Sequence, residues 1–340
     1  MRHIAFSAET DVVNRRLPFF LALEEWTARN MPAGDYFFSW HVDPTVICGR
    51  NQEIDKEVNL EYCGAHGIDV VRRRSGGGCV FADRQNFMFS FITASDMVTE
   101  VFAGYTAMIA GALQKIGIDA VATGRNDITI GGKKVSGNAF YHLPGRSIAH
   151  GTMLYDFDPS RLANAITPSK AKLESKGVKS VPMRVTCLKN EGIALTTSEF
   201  GRYMIESLTE GEPYVLTEDD VREVEAIEQG YYDPDFLRIH GREDRCRAAV
   251  ARREGRAVVP GLGEFCVEYV LDSADGTIRD FSISGDFFMS GDVEERLCRP
   301  MEGVRAEKEA VAARIDVIGP GSVIPGLTPA MLLDLVMGAE

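Results

Sequence analysis

Between residues 127 and 155 the chain alternates short strand-like runs with two-residue breaks: Asp127–Ile130, Gly131-Gly132, Lys134–Tyr141, Pro144-Gly145, Ala149–Tyr155. Glycine takes the positive φ that tight hairpin turns need, so runs separated this way fold back on one another as antiparallel strands. Upstream, Tyr36–Val42 and Thr45–Cys48 read as further strands, and Asn86–Thr93 is apolar almost throughout, as in a strand covered on both faces. Helical signals sit between them. One helix is expected from near Asn14 through Ala28, with Pro18 tolerated in its first turn. Val101, Tyr105, Met108, Ala112 and Ile116 form a stripe that Gly117 ends. Pro159–Ala165 and Thr197–Leu208 are also helical. The expected fold class is α+β: mixed, largely antiparallel sheets with packed helices.

At 340 residues the chain has room for two domains. The stretch Glu210–Glu254 is charge-dense and reads as a linker carrying a short helix over Val221–Ile227. That puts a boundary near residue 240, with domains over 1–240 and 241–340. The second is expected to be a small α+β unit: strand Phe265–Leu271, turn Asp275-Gly276, strand Thr277–Ser284, and helices over Val293–Cys298 and Glu307–Ile315. A net charge of −13 argues against a surface built to neutralise nucleic-acid phosphates. No apolar run reaches the ~20 residues that span a bilayer, and the polar stretch Met1–Asp11 carries no export signal. Seven cysteines at irregular spacing include no C-x-x-C pair. A cytoplasmic protein with reduced thiols is expected.

Three constellations carry chemistry. In Arg72-Arg73-Arg74-Ser75-Gly76-Gly77-Gly78, arginines abut a triple glycine between Val70-Val71 and Val80-Phe81. Successive glycines can turn several N–H groups toward one anion, and guanidinium groups bind phosphate or carboxylate in bidentate fashion; the alternative is a flexible turn with solvated arginines. In the second, Asn126 and Asp127 begin a strand and Lys134 lies between Gly132 and Gly137, where its ammonium can reach phosphoryl and carboxylate oxygens together. A solvated hairpin is the alternative. The third is His150-Gly151-Thr152, where a histidine serves either as catalyst or as a hydrogen-bonded structural group.

In this order and spacing, Arg72–Phe81, Arg125–Ala139 and His150–Asp158 resemble the lipoate–protein ligases of the biotin/lipoate ligase superfamily. Asn14–Glu25, Trp40 with Gly49–Gln52, and Leu173–Val185 are similar to the family's pattern too, and the stretch with Gly285–Phe288 is similar to the accessory domain of its longer bacterial members. The resemblance implies a two-step reaction. Lipoate attacks the α-phosphorus of ATP, giving lipoyl-AMP and pyrophosphate, and an acceptor lysine then takes the acyl group. It implies ATP and Mg²⁺, with Asp127 as a candidate metal ligand. The implied acceptors are lipoyl domains of 2-oxoacid dehydrogenase E2 subunits or the glycine cleavage H protein. By motif position, Arg73, Ser75, Gly76, Gly77, Gly78, Cys79, Val80, Phe81, Asn126, Asp127 and Lys134 are expected at the nucleotide. Lys134 and Arg73 would meet the lipoate carboxyl, His150 and Ala82 would lie near the acyl pocket, and Trp40, Phe20 and Phe38 are candidates for its apolar wall. Lys134 is the expected catalytic residue.

Two positions depart from the family: Ala82 stands where histidine is usual, and Cys79 where alanine is. Ala82 raises the question of acyl-chain preference. Cys79 raises a rival reading, an ATP-independent octanoyl or lipoyl transferase working through a cysteine thioester. In that branch the nucleophile precedes the lysine motif, where this chain has Ala120–Gly124, so Cys79 is read as a small apolar residue. A non-catalytic binding module and a biotin ligase are the further alternatives.

Overall fold

The computed structural model describes residues 1–95, 97–124, 126–167, 185–237 and 252–339. Fourteen strands run in chain order among these residues: β1 (Arg2–Ala5), β2 (Tyr36–Trp40), β3 (Thr45–Cys48), β4 (Asp69–Arg72), β5 (Val80–Ala82), β6 (Phe87–Thr93), β7 (Ala120–Ala122), β8 (Asp127–Ile130), β9 (Lys133–Leu143), β10 (Arg146–Met153), β11 (Tyr214–Val215), β12 (Arg252–Val259), β13 (Gly263–Leu271) and β14 (Ile278–Gly285). Eight form one sheet in the order β11-β1-β2-β6-β10-β9-β8-β7, antiparallel except where β1 joins β2 and β11. The Gly131-Gly132 turn has φ of +55° and +77°, positive values that glycine adopts without strain. It joins β8 to β9 as expected. Two small sheets follow the order β4-β3-β5, with β3 parallel to β4, and β12-β13-β14.

The large sheet is covered on both faces, which explains the continuous apolar run of β6. Side chains alternate across a strand: Phe38, Trp40, Met88 and Ile92 face one core, Phe37, Phe87 and Phe89 the other. Helix α1 (Leu17–Asn30) fills the first face and is buried from Leu17 to Ala28. Its two glutamates, Glu24 and Glu25, are buried with the rest. Pro18 sits in its first turn, as expected, while Asn14 closes a 3₁₀ turn before it. Helices α2 (Val98–Lys115) and α3 (Thr197–Leu208) cover the second face.

One reading of the sequence needs correcting. The start of the charge-dense stretch is not a linker: β11 extends the large sheet, and helix α4 (Glu218–Glu228) packs on α1 through Val221 and Val224. Tyr231 joins the same core. The charge density belonged to the solvated face of a helix buried along one stripe, closed at its start by a Thr217–Asp220 capping box. The boundary near 240 and most of Leu173–Val185 fall outside the described residues.

Residues 252–339 pack a core of their own. The antiparallel sheet β12-β13-β14 is covered by helices α5 (Lys308–Ile318) and α6 (Pro329–Met337) and a turn of π-helix at Glu294–Cys298. Strand β12 and α6 were not anticipated. This unit meets the glycine loop directly. Gly77 N–H donates to Phe287 O at 3.0 Å, Gly285 N–H to Asn51 O at 2.9 Å, and the Phe288 ring stacks on Phe140 with centroids 5.5 Å apart.

Candidate active site

The three arginines before the glycines are engaged within the protein. Arg72 is fully buried and donates to the carbonyls of Gly49, Arg50, Gln52 and Leu237 at 2.7–3.1 Å. Burial lowers its pKa to about 10. Arg73 donates to Ser75 Oγ (2.9 Å) and to the carbonyls of Ile47, Gly76 and Gly78 (3.1, 2.6 and 2.9 Å). Its guanidinium thereby fixes the path of the loop. Arg74 pairs with Glu25 at 2.9 Å and lies over the Tyr231 ring. These side chains frame the loop from inside, so the basic run is not a solvated patch.

The loop closes one side of a cavity of about 240 Å³. Gly77, Gly78, Cys79, Val80 and Phe81 line that side, with Arg73 behind them. Asn126, Lys134, Asn138 and His150 come from β8–β10 and the residue before them, and Phe288 from the C-terminal unit. Leu21, Ile47 and Met88 add apolar surface.

Lys134 is aimed by its neighbours. Its Nζ lies 2.7 Å from Asp127 Oδ1 on the adjacent strand. It crosses Gly137 so closely that a Cβ there would sit 2.5 Å from Nζ and 2.6 Å from Cε. Asn138 uses a second glycine in the same way: a Cβ on Gly151 would lie 1.8 Å from Asn138 Oδ1. The amide donates from Nδ2 to Asn126 O at 3.0 Å and accepts from Ser136 Oγ at 3.2 Å. The glycines in this motif are therefore channels for a lysine and an asparagine.

Behind the loop runs a buried polar chain. Arg73 donates to Ser75 Oγ, which lies 2.7 Å from His150 Nε2. His150 Nδ1 lies 2.8 Å from Glu24 Oε2. Glu24 also accepts from Ser90 Oγ at 2.6 Å, and Ser90 accepts from Trp40 Nε1 at 2.9 Å. One ring nitrogen of His150 thus faces the Ser75 hydroxyl and the other the Glu24 carboxylate. The chain ties α1 and three strands of the sheet to the glycine loop.

Of the residues singled out by sequence, Arg73, Gly77, Gly78, Cys79, Val80, Phe81, Asn126, Lys134 and His150 come together around the cavity. Ser75 and Asp127 stand just behind it, and Gly76 backs onto the C-terminal unit, where an added Cβ would meet Phe287 O at 2.5 Å. Phe20, Phe38, Trp40 and Ala82 are buried in the core beside α1, with Phe20 stacked on Trp40 at 4.6 Å, and none lines the cavity. Asp127 is engaged by an ammonium and belongs to no cluster of metal-ligating groups among the described residues. The cluster that does occur, Glu53, Cys266 and Glu268, has the Lys56 ammonium 2.9 Å from Glu53 and 3.3 Å from Glu268. Glu24, Asn138 and Phe288 were not assigned roles from sequence. The adjacent Glu24-Glu25 within the otherwise apolar run Leu17–Trp26 was the available signal for the first.

A sheet flanked by helices, a framed glycine loop and a lysine on the facing hairpin define a class of fold and site that known proteins share. A family profile described as "Lipoyl protein ligase A/B catalytic domain" matches residues 18–209, and "Bacterial lipoate protein ligase C-terminus" matches residues 266–336. The chain belongs to the lipoate–protein ligase family. It is 37% identical over 281 residues to lipoate–protein ligase 1 of Staphylococcus aureus, covering 81% of this chain and 83% of that one. To lipoate-protein ligase LplJ of Bacillus subtilis it is 31% identical over 325 residues, covering 93% and 95%. Among solved structures, LipL1 of P. falciparum in complex with lipoate superposes with a TM-score of 0.73 at 18% identity, covering 99% of this chain and 98% of that one. A bipartite ligase of Thermoplasma acidophilum, described with its E2 lipoyl domain, gives 0.60 at 23% (69% and 94% covered). A lipoate-protein ligase A bound with ATP gives 0.59 at 22% (69% and 97%). These likenesses establish the biotin/lipoate ligase fold. No helix among the described residues is long and apolar enough to cross a membrane.

Proposed function

We propose that this chain activates lipoate with ATP to lipoyl-AMP, releasing pyrophosphate, and transfers the lipoyl group to a lysine of an acceptor domain. The observation that carries the reading is Lys134, held by Asp127 and threaded past Gly137 onto the cavity wall opposite the glycine loop. Adenylation brings a carboxylate against a phosphate, and the electrostatic barrier is the difficulty. An ammonium fixed between the two anions neutralises both and aligns them. Asp127 keeps that ammonium in place before the substrates arrive.

The loop amides of Gly77 and Gly78 serve the phosphates, and Arg73 serves by holding the neighbouring carbonyls turned inward. His150, steadied by Glu24, orients Ser75 behind the loop. Asp127, the carboxylate paired with Lys134, would hold a Mg²⁺ ion here, and the ion would supply charge neutralisation at the phosphates. Leu21, Met88 and Ile47 offer apolar contact to the acyl chain. The cavity is smaller than the ~300–1,000 Å³ usual for ligand sites, so holding acid and nucleotide together calls for Phe288 to withdraw. We assign residues 1–240 to the catalytic domain and 241–340 to an accessory domain that makes this movement. The acceptors we propose are E2 lipoyl domains or the glycine cleavage H protein, in the cytoplasm.

The test is pyrophosphate release from MgATP with lipoate, octanoate or biotin as the sole acid. Release with lipoate, abolished in Lys134→Ala, is expected. Silence with every acid overturns the reading and favours an ATP-independent transferase using Cys79, which is among the residues lining the cavity.

A further inference from the structure

Two cysteines that the proposed chemistry leaves unused meet at the exit of the glycine loop. Strands β3 and β5 pair antiparallel with Thr45 opposite Ala82, Val46 opposite Phe81 and Ile47 opposite Val80. One step further along that register sets Cys48 opposite Cys79, and their Sγ atoms lie 3.4 Å apart. Residues directly opposed in an antiparallel pair have Cα atoms ~4.5–5.5 Å apart, inside the ~4.4–6.8 Å that a disulfide spans. The backbone therefore already stands at bridging distance.

Access and reactivity are divided between the two thiols. Cys79 lines the cavity, so a small solute reaches it, whereas Cys48 is fully buried. The Cys48 thiol is made more acidic by the Cys79 hydrogen bond and by the nearby Arg72 and Arg73 guanidinium groups. An accessible thiol beside a resolving thiol that is readily deprotonated is the arrangement of a redox-responsive site. The plain alternative is packing, since Cys48 shares its apolar cluster with Cys63, Val46 and Phe81. Packing alone requires neither the cross-strand opposition nor the opening to the cavity.

We propose that Cys48 and Cys79 form a site of reversible oxidative modification, closed to a disulfide by a hydroperoxide that enters through the cavity. Cys79 Sγ, which donates its hydrogen bond to Cys48 Sγ, passes its proton to the ionised Cys48 and attacks the peroxide oxygen. The O–O bond breaks, the departing hydroxide takes up the proton that Cys48 gave up on ionising and leaves as water, and Cys79 becomes a sulfenic acid. Cys48 Sγ then attacks the Cys79 sulfur; the S–S bond forms, the S–O bond breaks, and a second water leaves. Two thiols lose two electrons and two protons, and one hydrogen peroxide is reduced to two waters.

Closure draws the sulfurs from 3.4 Å to the ~2.05 Å of a disulfide. The bridge would stand against the glycine loop: Cys79 adjoins Gly78, and Gly49, the residue after Cys48, lies so close to Gly77 that an added Cβ would be 1.8 Å from Gly77 O. A covalent link here acts on the segment that carries Gly77 and Gly78, the residues proposed to bind phosphate. Adenylation by the oxidised protein should fall at least tenfold; this consequence rests on the proposed function, whereas the disulfide itself does not.

The test treats the full-length protein with one equivalent of hydrogen peroxide, blocks remaining thiols by alkylation and maps peptides by mass. A peptide pair joined through Cys48 and Cys79, two thiols lost per chain, and return of both on adding dithiothreitol are expected. Pyrophosphate release should fall and recover in parallel. Cys48→Ala should start with wild-type activity, form no cross-link, and lose activity under excess peroxide without rescue by dithiothreitol, because unresolved Cys79 proceeds to sulfinic acid. Cys48→Ser serves the same purpose if the alanine variant folds poorly, and mapping of the unmodified chain needs neither. Recovery of Cys48 and Cys79 as alkylated free thiols after peroxide, or a cross-link to another cysteine, overturns the proposal. Cross-linking in a protein that never releases pyrophosphate sinks the adenylation reading and leaves the thiol site standing.

Discussion

A methyl group on Gly137 should disable the proposed chemistry while leaving the fold intact. The added Cβ would lie 2.5 Å from Lys134 Nζ and 2.6 Å from Cε. Ordinary contact begins near 3.4 Å, so the ammonium must retreat by about 0.9 Å. What yields is the tip of a flexible side chain rather than backbone, so stability should change little; Tm is expected within ~3 °C of wild type. A displacement of ~1 Å at a reacting group costs on the order of 10²-fold in rate, or ~2.7 kcal/mol. Pyrophosphate release with MgATP and lipoate should fall by about that factor in Gly137→Ala. The decisive comparison is the double variant. If Gly137→Ala acts through the lysine, it should add no loss to Lys134→Ala. Wild-type rates in Gly137→Ala, or an independent loss in the lysine-free background, would refute the argument that this glycine exists to let Lys134 pass.

Other outcomes follow from the same geometry. Glu24→Ala strips a buried carboxylate from both His150 and Ser90 and, by leaving buried donors unpaired, should cost ~1–3 kcal/mol in urea unfolding; a loss below ~0.5 kcal/mol would mean that the polar chain is loosely held. Phe20→Ala should cost ~3–5 kcal/mol as a core truncation yet leave KM for the acid unchanged, because Phe20 is packed on Trp40 away from the cavity; a selective rise in that KM would return it to the acyl wall. Gly76→Ala would press a Cβ to 2.5 Å from Phe287 O, and amide exchange at Gly77 should accelerate as its hydrogen bond to that carbonyl opens; unchanged protection would contradict the contact.

The sequence was most legible where local rules decide. Glycine turns set β8–β10, the apolar run of β6 announced a strand covered on both faces, and Lys134 stood out between glycines. Contacts between distant segments were not legible. Nothing near Phe287 indicates that its carbonyl meets Gly77, and the parallel pairing of β1 with β2 and β11 closes over long separations without a turn signal. Charge alone did not show where a side chain's partners lie. The helix over Val221–Ile227 was legible, but the charge around it hid that Glu218–Glu228 packs on α1 along one stripe, and Glu24 was given no role because its partners lie on β6 and β10. The aromatic residues Phe20, Phe38 and Trp40 illustrate a third limit: hydrophobicity tells that a side chain is inside, not whether it faces a core or a cavity.

The hydrogen bond from Gly77 N–H to Phe287 O makes any ligand that needs this amide a competitor of the protein's own carbonyl. Binding is then an exchange, and its observed constant is the intrinsic one divided by the fraction of molecules in which the amide is released. If that fraction is about one in ten, measured affinity is about tenfold weaker than the loop alone could provide. The strength of the Phe288–Phe140 stacking thus becomes a dial on affinity. Substitutions in the C-terminal unit that never touch a ligand can tighten or loosen its binding, and their effect should appear in the equilibrium constant even where every residue of the cavity is unchanged.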